Sequence, residues 1–371
     1  MRITWAEIDL SAIKHNLTTI QQRVKPAKII AVVKANAYGH GIIRVADAAV
    51  KSGVDFLGVG FLEEGLLLRR RGFKIPILVL GGVLFRQIQK FLLNRLDITV
   101  SSLGLAYAVN KAAAKLGTIA NVHLKFDTGL NRIGISHRKA SLVFERIVPL
   151  KNIKISGIYS HFATADEADK TFTELQIKRF ENIIETAKSF HFEPEHIHIA
   201  CSGAILQHPG SYYNMIRVGL IMYGLYPHLN YNPNLNVKPV LTFKSRVVFL
   251  KDVNEGEPIS YGRIYYTQQR SKIATIPVGY GDGYNRRLSN KGNVLINGRR
   301  YPVVGTVCMD QIMVDLGPDS SVKIGDEVVL YGNQGTESIR VEEVASQIGT
   351  IPYEVTCWLA RRVPRIFINP V

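Results

Sequence analysis

The sequence predicts an α/β fold: an N-terminal (β/α)8 barrel over residues 1–230 and a C-terminal, mostly β domain over residues 231–371. Three observations lead there. Short apolar runs recur eight times before residue 220, and most of the intervals between them carry apolar residues at helical spacing. Near residue 230 the texture changes and strand patterns dominate to the end. A chain of 371 residues also fits two units at about 150 residues per domain, one of them large.

The eight runs are Ile29–Val33, Phe56–Val59, Ile77–Leu80, Ile98–Val100, Val122–Phe126, Ile155–Tyr159, Ile197–Cys201 and Met215–Val218. They are continuous rather than alternating, as strands covered on both faces must be. Helical spacing fills Ile42–Val50, Leu62–Arg71, Leu103–Leu116 and Thr171–Phe190. A doubly wound open sheet is the competing architecture, and its dinucleotide fingerprint is missing. Gly58-Val59-Gly60 is followed by Phe61, Leu62 and Glu63, with no third glycine in place. Asn230-Tyr231-Asn232-Pro233-Asn234 reads as a turn-rich link. Strands are then predicted at Thr242–Leu250, Lys272–Pro277, Asn293–Ile296, Tyr301–Val304, Gln311–Leu316 and Glu327–Tyr331, and a helix at Val341–Ile348. Asn297-Gly298 marks a two-residue hairpin turn. The C-terminal domain is expected to close on itself, which would hide its sheet edges. Residues 3–10 form a first strand with two homes open to it, the barrel or the C-terminal domain.

Composition removes several classes of function. Hydrophobic residues are 46% and charged residues 20%, so the chain is neither disordered nor collagen-like. No apolar run reaches the ~18 residues of a membrane span, so no membrane partner is expected. The first residues, Met1 to Glu7, lack a basic-then-apolar leader. Three cysteines, Cys201, Cys308 and Cys357, suit a reducing, cytoplasmic compartment better than a disulfide framework. The net charge of +16 raises the question of nucleic acid. Basic residues are spread along the chain, however, and Arg69-Arg70-Arg71, Arg299-Arg300 and Arg361-Arg362 interleave no aromatics. No nucleic-acid partner is expected. His196 and His198 share one face of a strand, but no third ligand is evident nearby, so no metal is expected.

Chemistry in a barrel sits at the C-terminal ends of the strands. The first apolar run continues straight into Lys34, which is costly unless the lysine is exposed, paired or used. The stretch Ala31-Val32-Val33-Lys34-Ala35-Asn36-Ala37-Tyr38-Gly39-His40-Gly41 resembles the pyridoxal-phosphate attachment motif of alanine racemases. Lys125-Phe126-Asp127-Thr128-Gly129-Leu130-Asn131-Arg132-Ile133-Gly134 is similar to the family's fifth-strand motif, and Arg217 to Leu225 to its eighth-strand motif. Ser260-Tyr261-Gly262 and Cys308-Met309-Asp310 match its two C-terminal-domain motifs. The resemblance runs from about Thr4 to Arg365. It implies a pyridoxal 5'-phosphate enzyme that racemises alanine, supplying D-alanine for peptidoglycan. A racemase of the same scaffold preferring serine or a basic amino acid is the alternative.

Racemisation breaks a Cα–H bond that is far too weakly acidic at neutral pH, and a pyridoxal ring delocalises the charge left behind. Lys34 is the residue that would carry the cofactor and, once released, act as base on one face. Inversion needs a second acid/base on the other. By resemblance this is Tyr261 from the partner subunit, so the active form would be a homodimer with shared sites. Lysine at ~10.4 and tyrosine at ~10 must both be tuned toward neutrality. His161, ending the sixth strand, would lie near Tyr261. Ser202, Gly219 and Leu220 follow strands seven and eight, where barrels commonly bind phosphate; Tyr38 and Tyr353 match tyrosines that reach the phosphate. Arg217 matches the residue facing the pyridine nitrogen, and a guanidinium there holds that nitrogen unprotonated. Arg132 and the backbone N–H of Met309 would bind the substrate carboxylate. Lys125 matches a lysine that is carbamylated in many members; a carbamate would attract Arg132 where an ammonium repels it. Lys125 and Asp127 alternate onto one face of the fifth strand. Asp166, Tyr280 and Arg286 resemble the residues of the access corridor. The sequence departs from the family's usual pattern at Leu130 for methionine, Gly281 for alanine and Cys201 for asparagine.

Overall fold

The computed structural model describes residues 2–231 and 235–371; Asn232, Pro233 and Asn234 of the expected link lie outside them. The chain begins with β1 (Trp5–Asp9) and a helix at Leu10–Val24. Asp9 caps that helix, its carboxylate accepting the N–H groups of Ser11 and Ala12 at 2.9 and 3.2 Å. The next strands are β2 (Lys28–Val32), β3 (Phe56–Val59), β4 (Ile77–Val79), β5 (Asp97–Val100), β6 (Ala120–Asp127), β7 (Ile135–Ser136), β8 (Ile153–Tyr159), β9 (His196–His198) and β10 (Met215–Val218). Apart from the two-residue β7, which flanks β6, these are the eight staves the apolar runs predicted. Each pairs in parallel with its neighbour, and β10 returns to β2. The seam between β9 and β10 is bridged by the Arg217 N–H, which donates to the Ala200 carbonyl at 3.0 Å.

The local chemistry explains the alternation. Every residue of β3, β4, β5 and β10 is buried, which suits β-branched and aliphatic side chains. The helix Leu62–Arg70 carries Glu63 and Glu64 in its first turn and Arg69 and Arg70 in its last, matching its dipole at both ends. Ser102 caps the helix Leu103–Lys115 through the Leu105 N–H at 3.1 Å. Inside the barrel Ile30, Phe56, Leu78 and Met215 form a small apolar plug. Much of the remaining interior is polar: Thr99, His123, His198 and Arg217 are all buried.

The second sheet is built from β11 (Leu241–Arg246), β12 (Phe249–Val253), β13 (Ser271–Ile276), β14 (Asn293–Ile296), β15 (Arg299–Val304), β16 (Ile312–Asp315), β17 (Glu327–Gln334), β18 (Glu337–Ile339) and β19 (Arg365–Ile368). Its order is β12-β13-β16-β15-β14-β17-β11-β1-β19, with β18 on β17. The strand at the chain's start therefore lies inside this sheet, antiparallel to β11 and parallel to β19. The helix at Val341–Ile348 follows as expected. The hairpin between β14 and β15 turns at Asn297 and Gly298, both with positive φ (51° and 72°), as a type I′ turn requires.

Two expectations need correcting. The apolar run Thr242–Leu250 is two strands, because the chain leaves β11, which lies between β17 and β1, and re-enters as β12 at the far edge of the sheet. And among the described residues the sheet does not close: its ladder ends at β12 and β19. The β12 edge instead carries Lys251 and Asp252, charges that discourage pairing with another strand.

Candidate active site

Lys34 lies just past β2. The Val33 N–H still bonds the Gly58 carbonyl at 2.8 Å, and then Ala35, Asn36, Ala37 and Tyr38 all take left-handed φ values of 52–54°. Four such residues in a row are unfavourable for L-amino acids and persist only where the surroundings hold them. Glu64 is one such restraint. Its carboxylate accepts the Ala35 N–H at 2.6 Å and the Gly60 N–H at 2.8 Å, stapling the lysine turn to the end of β3. The Asn36 side chain accepts the Ile42 N–H at 3.0 Å. From the second unit, Arg365 donates to the Gly39 carbonyl at 3.0 Å. Gly39 has φ +84°, and a β-carbon there would overlap the Thr356 carbonyl oxygen. The helix Pro352–Cys357, which the sequence did not reveal, thus buttresses the turn directly.

Lys34 faces a 400 Å³ cavity at the C-terminal mouth of the barrel, shared with Lys125, Arg132, His161 and Arg217 and floored by Gly60, Gly81 and Gly82. Four of the five side chains are cationic or basic lysines and arginines, and their mutual repulsion is legible in their proton affinities. Burial and then Arg132 lower the Lys34 amine, against Glu64 and Cys357, which raise it. Burial, then Arg217, Arg132 and Lys34, bring Lys125 down to about 7. Asp127 raises Lys125 slightly, but its carboxylate is engaged by the Gly129 and Asn131 N–H groups at 2.8 and 3.1 Å. It thereby shapes the loop that presents Arg132.

Arg217, near the end of β10, is held on every side. Nη1 donates to His198 Nδ1 at 2.7 Å and to the His198 carbonyl at 3.1 Å. Nη2 donates to the Ser160 and Ile199 carbonyls at 2.7 and 2.9 Å and to His161 Nδ1 at 3.1 Å. Its guanidinium lies 5.2 Å from the Tyr159 ring centre, and the Lys125 amine 5.0 Å from the same ring. The Tyr159 hydroxyl bonds Thr99 at 2.7 Å, which in turn donates to the Val79 carbonyl. Because a guanidinium has only donors, His161 Nδ1 is an acceptor and the ring's proton sits on Nε2. Burial and Arg217 hold His161 well below its ordinary value, so it stays neutral.

Beside this cavity the predicted phosphate residues converge. The Ser202 hydroxyl accepts the Gly219 and Ile221 N–H groups at 3.2 and 3.4 Å. The Tyr38 and Tyr353 rings stand 5.8 Å apart, and Leu220 is buried beneath the turn that follows Gly219. A β-carbon on Gly219 would come within 2.7 Å of the Tyr38 hydroxyl.

The C-terminal candidates form a separate cluster. Thr306 donates to the Tyr261 carbonyl at 2.7 Å, and the Gly281 N–H to the Met309 carbonyl at 2.9 Å. Arg362 bonds both Asp282 and Asp310, at 2.8 and 2.7 Å. Tyr261, Met309, Tyr280 and Arg286 do not line the Lys34 cavity of their own chain, and the Tyr261 side chain is 72% exposed. Asp166 sits on an exposed loop after β8. Sequence reasoning missed Glu64, Tyr159 and the partners of His198. Glu64 had a signal: an acid in the first turn of the helix after the second stave, one stave away from the lysine.

Comparison with known proteins shows the family and the fold. The family model described as alanine racemase, N-terminal domain, matches residues 8–227, and that of the C-terminal domain matches residues 240–367. The alanine racemase of Methanococcus maripaludis is 44% identical over 368 residues, covering 98% of each chain. The crystal structure of alanine racemase from Streptomyces lavendulae superposes with TM-score 0.96 at 32% identity, covering 100% of this chain and 98% of that one. A histidine racemase from Leuconostoc mesenteroides superposes at 0.91 with 28% identity, covering 99% and 98%.

Proposed function

The chain belongs to the alanine racemase family, and from that premise we propose that it interconverts L- and D-alanine with pyridoxal phosphate held at Lys34. One observation carries the reading: a half-buried lysine whose proton affinity is lowered stands in one cavity with an arginine locked by five hydrogen bonds. The residues fit the cofactor. Gly60 and Gly81 leave bare backbone beside Lys34, and Gly219 leaves room for the Tyr38 hydroxyl next to Ser202. When bound, pyridoxal phosphate supplies an electron sink for the charge left as the Cα proton departs.

The remaining work falls to the chain's own residues. Lys34, lowered by burial and Arg132, is the base on one face. Ser202, Tyr38 and Tyr353 would hold the phosphate, together with the N–H groups of Gly219 and Leu220. Arg217 cannot accept a proton, so it keeps the pyridine nitrogen unprotonated. This makes a weaker sink, which disfavours transamination. Arg132 takes the substrate carboxylate. Lys125, lowered to about 7, presents an unprotonated amine to carbon dioxide far more often than an ordinary lysine does near neutral pH. Its carbamate would neutralise part of the crowd formed by Lys34, Arg132 and Arg217.

The second base is Tyr261 of the partner subunit, in a homodimer. The exposure of Tyr261 and Met309 supports this, since neither reaches the cavity of its own chain. Phe61 and Phe85 on the barrel side and Phe249 and Ile264 on the C-terminal side are also exposed. A two-fold axis pairs two such patches on each copy. His161, with its proton fixed on Nε2, is then a donor for the incoming tyrosine oxygen. Tyr280, Asp166 and Arg286 would frame the access path from both subunits. Cytoplasmic D-alanine supply for peptidoglycan is the role that follows; no helix among the described residues is long and apolar enough to cross a membrane.

The test is a racemase assay in deuterated water with L-alanine, L-serine, L-lysine and L-histidine offered separately. D-alanine carrying deuterium at Cα, with little product from the others, is the expected result. Preference for serine or a basic amino acid keeps the chemistry and overturns the substrate. Exchange at Cα without inversion overturns the role of Tyr261.

A further inference from the structure

His198 and His123 are fully buried in the barrel, and neither lines the Lys34 cavity. His123 Nδ1 lies 2.9 Å from His198 Nε2, and His198 Nδ1 lies 2.7 Å from Arg217 Nη1. The donor count orders the whole row. Arg217 only donates, so His198 Nδ1 accepts and its proton is on Nε2. That proton is given to His123 Nδ1, which puts the His123 proton on Nε2. Both rings are neutral, since burial drives their proton affinities down, that of His123 to about 3.

The row does not end in a partner. His123 Nε2 is buried and has no hydrogen bond, and the nearest carboxylate oxygen, Asp97 Oδ2, is 3.9 Å away. A buried donor left unmatched is costly, so a carboxylate about one ångström beyond hydrogen-bond reach is a contact to be explained. Asp97 opens β5, at the N-terminal end of the barrel, and lines a 280 Å³ pocket there. Arg69, Lys74, Arg95, Lys154, Glu195 and His196 surround it. Arg69 lowers the Asp97 proton affinity, as do Asn121 and Lys154, and Glu195 raises it; burial dominates and pushes Asp97 up to about 7. The second orphan, His196 Nδ1, stands in the same neighbourhood, with its ring stacked 5.9 Å from His123.

We propose that His198, His123 and Asp97 form a column along the barrel interior that positions Arg217 and carries to it the charge of the pocket at the opposite end. When Asp97 is ionised, it draws the His123 Nε2–H toward it. His123 Nδ1 becomes a stronger acceptor, His198 is polarised in turn, and its Nδ1 holds Arg217 Nη1 more tightly. When Asp97 is protonated, that pull is lost and Arg217 faces the cavity with its charge less compensated. The three residues are positioning residues, since none touches substrate. The inference rests on the reading of Arg217 as the group against the pyridine nitrogen.

The experiment follows ring and guanidinium nitrogens by NMR in holoenzyme labelled at histidine and arginine, between pH 5.5 and 8.5. In Lys125→Met holoenzyme, which lacks the other group titrating near 7 beside Arg217, the His198 and Arg217 signals should shift with one midpoint near that of Asp97, and adding Asp97→Asn should abolish the shift while the His198 and His123 rings keep their protons on Nε2. Two rim variants cover the case in which Asp97→Asn does not fold. Glu195→Gln should move the midpoint at Arg217 down and Lys154→Met should move it up. Signals that stay flat in Lys125→Met, or that titrate alike once Asp97→Asn is added to it, overturn the column. A midpoint indifferent to both rim variants does the same. Flat signals in an enzyme that racemises alanine refute the column and leave the function standing; titrating signals in a protein that racemises nothing refute the function and leave the column.

Discussion

Glu64 offers the sharpest test of how the lysine turn is held. Its two oxygens serve two backbone donors, Ala35 N–H at 2.6 Å and Gly60 N–H at 2.8 Å. Glu64→Gln has the same shape but one acceptor oxygen, and its amide nitrogen cannot accept. The surviving oxygen should go to Gly60, which is buried, leaving Ala35, which is exposed, to water. A hydrogen bond to a charged group contributes about 1.5–3 kcal/mol, and partial replacement by water favours the lower figure. At 1.4 kcal/mol per decade, the Ala35 amide should exchange about tenfold faster in Glu64→Gln while Gly60 stays protected. Glu64→Ala removes both acceptors, so Gly60 should also lose protection, by about tenfold to a hundredfold because water replaces less there. Amide hydrogen exchange on the intact protein reads both sites. Unchanged protection at Ala35 and Gly60 in Glu64→Ala would show that the left-handed turn is held by Arg365 and the Pro352–Cys357 helix alone, and the staple argument would be wrong.

The other predictions concern the cavity. Tyr261→Phe should cut inversion by about 10²–10⁴-fold while deuterium exchange at Cα of one enantiomer continues; loss of both together would count against a two-face assignment. Arg217→Glu, whose carboxyl can share a proton with the ring nitrogen, should raise transamination relative to racemisation, followed as pyridoxamine phosphate formed; no rise refutes the weaker-sink argument. Lys125 also makes stability depend on pH. Its folded value of about 7 lies below its unfolded value, so between them the unfolded chain binds the extra proton and stability rises with pH. In carbon dioxide-free buffer, Lys125→Met should therefore flatten the rise in melting temperature from pH 7 to pH 10. An equal rise in the variant means that other groups carry it.

What the sequence disclosed and what it withheld divide along a physical line. The staves were legible because a strand buried on both faces must be a continuous apolar run, and Ile29–Val33 or Met215–Val218 has no other home. Lys34 was legible because its motif is contiguous from Lys34 to Gly41, although the turn that presents it is held by Glu64, Arg365 and the Pro352–Cys357 helix from elsewhere in the chain. β18, β19 and the Pro352–Cys357 helix were not, since each is short and owes its form to neighbours distant in sequence. Arg365 is a strand residue because β1, more than 350 residues earlier, offers it a parallel edge. The closure expected of the second sheet failed for a related reason: edges can be blunted by charge at Lys251 and Asp252, and pattern alone does not say which device is used.

His196 and His198 show the limit most clearly. Two histidines on one face of a strand are, by spacing, a candidate metal pair. What decides the role of His198 is a residue nineteen positions later, Arg217, whose guanidinium has no lone pair to accept with and so dictates the protonation of every ring it touches. It sets His198 in one direction and His161 in the other. The same side chain that faces the cavity therefore fixes a donor at its mouth and a donor pointing toward Asp97 at the barrel's far end. A spacing argument counts ligands and has no access to that direction. It emerges only when the strands close and bring donors that cannot accept against rings that can do either. This is why replacing Arg217 should disturb His161 and His123 together, although the two rings lie on different staves and share no sequence motif.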